Sequence, residues 1–234
     1  MTNPPHNANE IAGAAKPLIF FKPAVIALSC SVILGLPACS TLPKHTEQPM
    51  EYAFSTPTEE TQLAKLVLPL RNANPGLTGY HVLYDPLEAL AARMQLINKA
   101  EKSLDLQYYI WDNDKIGSMA LHSIIQAADR GVKVRLLIDD NNSKKMEGIY
   151  LALDQHANIE VKLYNPYRFR HYRAMDMLLN LKRINRRMHN KSFIADNQIA
   201  LIGGRNMSNQ YYNFSDNYQF SDVDVMLVGS ASDE

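Results

Sequence analysis

The chain has 234 residues, with 24 Lys and Arg against 24 Asp and Glu, and is 46% hydrophobic and 21% charged. That apolar content excludes a disordered chain, and zero formal net charge excludes a surface attracting polyanions everywhere, so any phosphate-binding charge must be local. Without its N-terminal segment, about 200 residues remain, the size of one domain plus a tether.

Ala24 to Ala38 is an uncharged apolar run behind Lys16 and Lys22. It is shorter than the about 20 residues a helix needs to cross a bilayer, and a basic flank, short apolar core and small residue before a break are the parts of a secretory signal peptide. The break, Leu36-Pro37-Ala38-Cys39, resembles a bacterial lipobox, with Pro37 as a departure. The resemblance implies removal of residues 1–38, lipidation of Cys39 and loss of Cys30 with the leader, leaving no thiol for a disulfide or thiolate metal site. Ser40 in place of Asp resembles the sorting rule for outer-membrane lipoproteins and puts the domain in the cell envelope, facing the periplasm. An uncleaved membrane anchor is the competing reading.

Residues 39–79 carry Pro43, Pro49, Pro57, Pro69 and Pro75 and read as an extended tether. One helix interrupts it, with Thr56 as N-cap, Pro57 first and Glu59 closing a capping box ahead of the stripe Leu63, Leu66, Val67, Leu70. The domain proper is expected over residues 80–234. Asp85-Pro86 caps a helix whose apolar face is Leu87, Leu90, Ala91, Met94 and Ile97, followed by a strand from Leu104 to Ile110. Ile116, Met119, Ala120, Ile124 and Ala127 define the next helix, closed by Gly131, and Val132 to Ile138 reads as a strand buried on both faces. A helix over about 145–156 leads to a strand over 159–164. Three strands separated by helices imply right-handed crossovers. Strands at 191–195 and 199–202 form a hairpin around Asp196-Asn197-Gln198, and a last strand covers 223–228. The fold class is α/β, a mixed, mainly parallel sheet flanked by helices.

Two apart, His189 and Lys191 share one face of an extended segment. An imidazole nitrogen nucleophile beside an ammonium suits attack on a phosphodiester, because the cation stabilises phosphoryl oxygens. Gly203 and Gly204 allow close backbone approach, and Asn206 offers an amide donor. His-x-Lys-x4-Asp ending at Asp196, then Gly-Gly-x-Asn ending at Asn206, is similar to the HKD signature of the phospholipase D superfamily. The likeness runs from about Tyr84 to the C-terminus, through Leu106-Gln-Tyr-Tyr-Ile-Trp111, Gly131-Val-Lys-Val-Arg-Leu-Leu-Ile-Asp-Asp140 and Arg187-Met-His-Asn-Lys191, and most resembles bacterial cardiolipin synthases of the C type. Gly204 stands where that superfamily often has Ser.

The resemblance implies a two-step displacement needing neither metal nor cofactor. His189 attacks phosphorus, Lys191 and Asn206 hold the phosphoryl oxygens, and a histidine from a second HKD motif protonates the leaving alcohol. Asp196 belongs to the motif but, at the strand end, reads as a structural partner rather than a proton carrier. Asp222 or Asp224 is placed to orient His189, and Gly203, Gly204 and Arg187 are counted as substrate-binding.

No other histidine here is followed by Lys two positions on, so only one HKD motif is present. A fragment of a longer enzyme, a truncated product and a homodimer pairing two motifs all remain open. Between Arg168 and Lys191 stand eight basic residues against the single acid Asp176. They read either as a docking site for anionic phospholipid or as a helix face balanced by acids folded nearby. Met175, Met177, Leu178, Leu179, Leu181 and Ile184 make the stretch amphipathic, suited to a lipid surface or to a core. Nucleic acid is not expected as a partner. The function expected is a lipid-anchored phospholipase D-type phosphatidyltransferase, with a dimeric phosphodiesterase or nuclease, or an inactive lipid-binding remnant, as alternatives.

Overall fold

The computed structural model describes residues 58–229. The apolar run, Cys39, most of the tether and the expected cap Thr56 lie outside the described residues. The first helix among the described residues, α1 (Gln62–Ala73), is capped by Thr61, whose hydroxyl accepts the Ala64 N–H at 3.1 Å, while Glu59 and Glu60 form a turn. Pro69, expected in extended chain, lies inside α1. Leu63 and Val67 enter the core, whereas Leu66 and Leu70 stay exposed, so only half of the expected stripe packs.

β1 (Gly79–Leu83), unanticipated from the sequence, precedes α2 (Pro86–Lys99), where the Asp85 carboxylate accepts the Glu88 N–H at 2.8 Å. The buried stripe of α2 is Ala89, Leu90, Arg93, Leu96 and Ile97; Leu87 and Ala91 face out. The stripe is rotated because it contains Arg93, whose guanidinium pairs with buried Asp224 at 2.9 Å. β2 (Ser103–Tyr108) leads to α3 (Lys115–Asp129), capped by Asp114 and closed at Gly131, whose φ of +98° suits a residue without Cβ. Then come β3 (Lys133–Asp139), a 3-10 turn at Ser143–Met146 running into α4 (Glu147–Leu153), and β4 (Ile159–Tyr164). The short helices α5 (Arg173–Leu179) and α6 (Leu181–Ile184) precede β5 (Ser192–Ala195), β6 (Ile199–Gly203) and β7 (Asp224–Val228).

The seven strands form one sheet in the order β1-β7-β6-β5-β2-β3-β4. β2, β3 and β4 are parallel; β2 with β5, β5 with β6, β6 with β7 and β7 with β1 are antiparallel. The β5–β6 hairpin turns at Asp196 and Asn197, both at φ +52°, the positive dihedrals of a type I′ turn. Leu104, Leu106, Val134, Leu136 and Phe193 join helix residues Ile97, Ile116, Ile124 and Leu153 in one apolar core. β3 is fully buried on that face only; on the other, Arg135 is ion-paired with Asp105.

Candidate active site

The parallel strands deliver their carboxyl ends to the same edge as the start of β5, the end of β6 and the start of β7, the edge at which open α/β sheets bind ligands. His189 and Lys191 lie there, in extended chain just before β5. The His189 side is exposed, and its ring meets the Tyr109 ring at 4.9 Å between centroids and 52° between planes. Lys191 is buried. Its ammonium donates to the His189 carbonyl at 2.7 Å and lies 5.4 Å from the centre of the Tyr109 ring. Burial pushes the Lys191 amine below the usual lysine range, and the Asp222 carboxylate opposes that shift.

Asp139, at the end of β3, carries this segment. One of its carboxylate oxygens accepts the Met188 N–H at 2.8 Å; the other accepts from Arg187 at 3.1 Å and from the Asn141 N–H at 2.8 Å. The Asn141 amide donates to the Tyr109 hydroxyl at 3.0 Å and accepts from the Tyr167 hydroxyl at 2.9 Å. Both walls of the site therefore hang on one loop after β3. Neither Asp139 nor Tyr109 was singled out from sequence. The doublet Asp139-Asp140 ending an apolar strand was the available signal, whereas Tyr109 reads as ordinary strand packing.

Arg187, expected to bind substrate, is engaged within the protein by Asp139, by the Ile184 and Asn165 carbonyls, and over the Tyr167 ring, with one terminal nitrogen left without a hydrogen-bond partner among the described residues. The same holds for much of the basic stretch. Arg170 pairs with Asp140 and Glu147, Arg173 with Asp140, and Arg183 with Asp176. Acids at the end of β3 and in α4, distant in sequence, balance three of the eight cations, and Asp176 within the stretch balances a fourth.

Asp196 is buried at the far end of β5 from His189, its carboxylate accepting the N–H groups of Glu101, Lys102 and Ser103. Asn206 is also buried; its Oδ1 accepts from Ile110 N–H at 2.9 Å and its Nδ2 donates to the Tyr211 hydroxyl at 2.7 Å, bracing the end of β2. One N–H of that amide is thus already committed. Burial, with Asp222 and Asp112 nearby, pushes the Tyr211 phenol up. Gly203 donates its N–H to the Lys191 carbonyl at 3.2 Å, and a Cβ on it would lie 2.6 Å from Asp224 Cα. A Cβ on Gly204 would lie 1.8 Å from an Asp222 carboxylate oxygen. Asp222 therefore lies against Gly204, where a Ser would displace it, whereas the Asp224 carboxylate is taken by Arg93 at 2.9 Å and by Arg205 at 3.2 Å.

A family described as cardiolipin synthase, PLD-like domain, matches residues 94–229. The chain belongs to that family. This PLD-like domain is 46% identical over 168 residues to cardiolipin synthase C of Escherichia coli (strain K12), covering 72% of this chain and 36% of that protein. It is 37% identical over 190 residues to an uncharacterized protein of Helicobacter pylori (strain ATCC 700392 / 26695), covering 80% and 37%. The chain thus spans somewhat over a third of the length of these relatives. Among solved structures, NucT from Helicobacter pylori aligns at a TM-score of 0.47 and 21% identity, covering 67% of this chain and 87% of that one. Phosphatidylserine synthase of Haemophilus influenzae Rd KW20 aligns at 0.49 and 17%, covering 73% and 39%.

Proposed function

We propose that this PLD-like domain is the N-terminal catalytic half of a phospholipase D-type phosphatidyltransferase, with cardiolipin synthesis as its reaction and the cell envelope, through a lipidated Cys39, as its location. The observation that carries the reading is an exposed imidazole, His189, standing beside a buried ammonium, Lys191, at the open edge of the sheet. The family and the similarity to cardiolipin synthase C support the substrate class.

A lone pair of a His189 ring nitrogen attacks the phosphorus of a phosphatidyl lipid and forms an N–P bond. The P–O bond to the departing alcohol breaks, and that alkoxide takes a proton from a histidine of a second HKD motif. The second motif, now a base, removes the proton of an incoming lipid hydroxyl or water, whose oxygen displaces His189. Lys191 neutralises charge gathering on the phosphoryl oxygens, where a burial-weakened hydration shell makes the cation more effective. Asp222, next to Gly204 and close enough to Lys191 to act on its protonation, is the carboxylate assigned to steady the charged states of the site.

The test is an acid-labile phosphoryl or phosphatidyl label on the peptide containing His189, absent in His189→Ala, with turnover insensitive to EDTA. The mass of the active species, measured in the same preparation, tells whether the second motif comes from another copy. Turnover unchanged by both His189→Ala and Lys191→Ala overturns the proposal.

A further inference from the structure

The stretch immediately before the site has its polarity reversed. In α5 the one buried side chain is the carboxylate Asp176, which accepts from the Phe169 N–H, the Asn180 amide and Arg183. Its outward side chains are apolar: Tyr172, Met175, Met177, Leu178 and Leu179, with Leu181 following in α6, are all exposed, Leu178 at 83%. A helix surrounded by water has the opposite arrangement, and a continuous exposed apolar patch marks a surface that meets something. The platform is braced from beneath. Ile184 is buried, and the Asn165 amide donates to the Arg183 and Arg186 carbonyls at 2.8 and 2.7 Å.

We infer that residues 172–186 form a bilayer-docking platform that enters the headgroup region of an anionic membrane and sets His189 at the lipid surface. Charge selects the occupant. The four arginines that point inward are matched by Asp139, Asp140, Glu147 and Asp176, while Arg168, Lys182 and Arg186 stay exposed with no acid partner among the described residues. Apolar side chains flanked by free cations fit an anionic lipid surface, where each cation contributes roughly a fivefold gain in partition. A second copy would have to oppose these cations with their own duplicates in an isologous contact. The inference rests on the proposed lipid chemistry for its purpose, but its test does not require turnover.

Trp111 is the sole tryptophan and is buried, so Leu178→Trp adds one separable indole. The full chain carrying Leu178→Trp, with and without His189→Ala, is mixed with vesicles of phosphatidylglycerol or phosphatidylcholine, each with brominated acyl chains. The expected result is strong quenching of the introduced indole by the phosphatidylglycerol vesicles in both backgrounds. Adding Lys182→Gln and Arg186→Gln weakens binding on the order of twentyfold. Three results overturn the platform: an unquenched indole while the chain still sediments with vesicles, equal quenching by both lipids, or an indole already shielded without lipid, as a second copy or another part of the chain would cause. Loss of turnover in His189→Ala with quenching retained separates this inference from the proposed reaction.

Discussion

Asp139 steers His189 without touching it. Its carboxylate grips the backbone N–H of Met188, one residue earlier, and the guanidinium of Arg187, two residues earlier. Asp139→Ala leaves Arg187 as an uncompensated, mostly buried cation, and urea denaturation is expected to show a loss of about 3 kcal/mol. The double variant with Arg187→Met should lose less than the sum of the two single changes, because both charges leave together. Additive losses would mean that the pair is not coupled.

The two aspartates around the start of β7 should separate cleanly. Asp224→Asn disturbs a carboxylate shared by two buried guanidiniums and is expected to cost about 3 kcal/mol or more in thermal or urea unfolding. Asp222→Asn, at a half-buried site beside Gly204, should change stability by less than 1 kcal/mol while lowering turnover tenfold or more. Equal stability losses in both would contradict this division.

Lys191 gives a pH dependence of opposite sign for stability and turnover. Burial lowers its folded-state pKa, so between that value and the ordinary lysine range the unfolded chain binds the proton more tightly and stability rises with pH. Turnover needs the ammonium and should fall across the same window, earlier than an exposed lysine would allow. Urea midpoints and initial rates from pH 7 to 11 check both trends.

Gly204→Ser is expected to push the Asp222 carboxylate aside, since the new Cβ takes its place. Asp222 raises the Lys191 pKa, so its displacement should move the alkaline limb of turnover to lower pH. An unmoved limb would show that Asp222 does not govern Lys191.

Asp196→Ala strands three N–H groups of the α2–β2 connection and should destabilise the fold by about 1–3 kcal/mol. Rate per folded molecule should be unchanged, as read by activity normalised to the folded fraction.

Local chemistry was legible in the sequence wherever it acts within a few residues. Asp85-Pro86 started its helix, Gly131 ended the next, and Asp196-Asn197 turned the hairpin, each by a short-range preference of backbone or side chain. What the chain hid was pairing at long range. Arg93 looked like a solvent residue and so disguised the buried stripe of α2, because its partner stands 131 positions later. Whether Arg187 and its neighbours were a free cationic field or a face balanced by folded acids could not be read from the chain, because Asp139, Asp140 and Glu147 belong to other elements. His189, Lys191 and the two glycines stood out as a spaced pattern, whereas Tyr109 carries no pattern of its own and Asp139 is marked only by standing with Asp140 at the end of an apolar strand.

β1 waits for β7. Among the described residues β1 pairs only with β7, residue for residue about 145 positions downstream. At synthesis rates of about 5–20 residues per second, β1 leaves the ribosome roughly 7–30 s before its partner exists. Through that interval Leu83 lacks its β7 neighbour and Arg93 lacks Asp224 as counter-ion, so vectorial synthesis leaves this corner of the nascent chain open until β7 closes it.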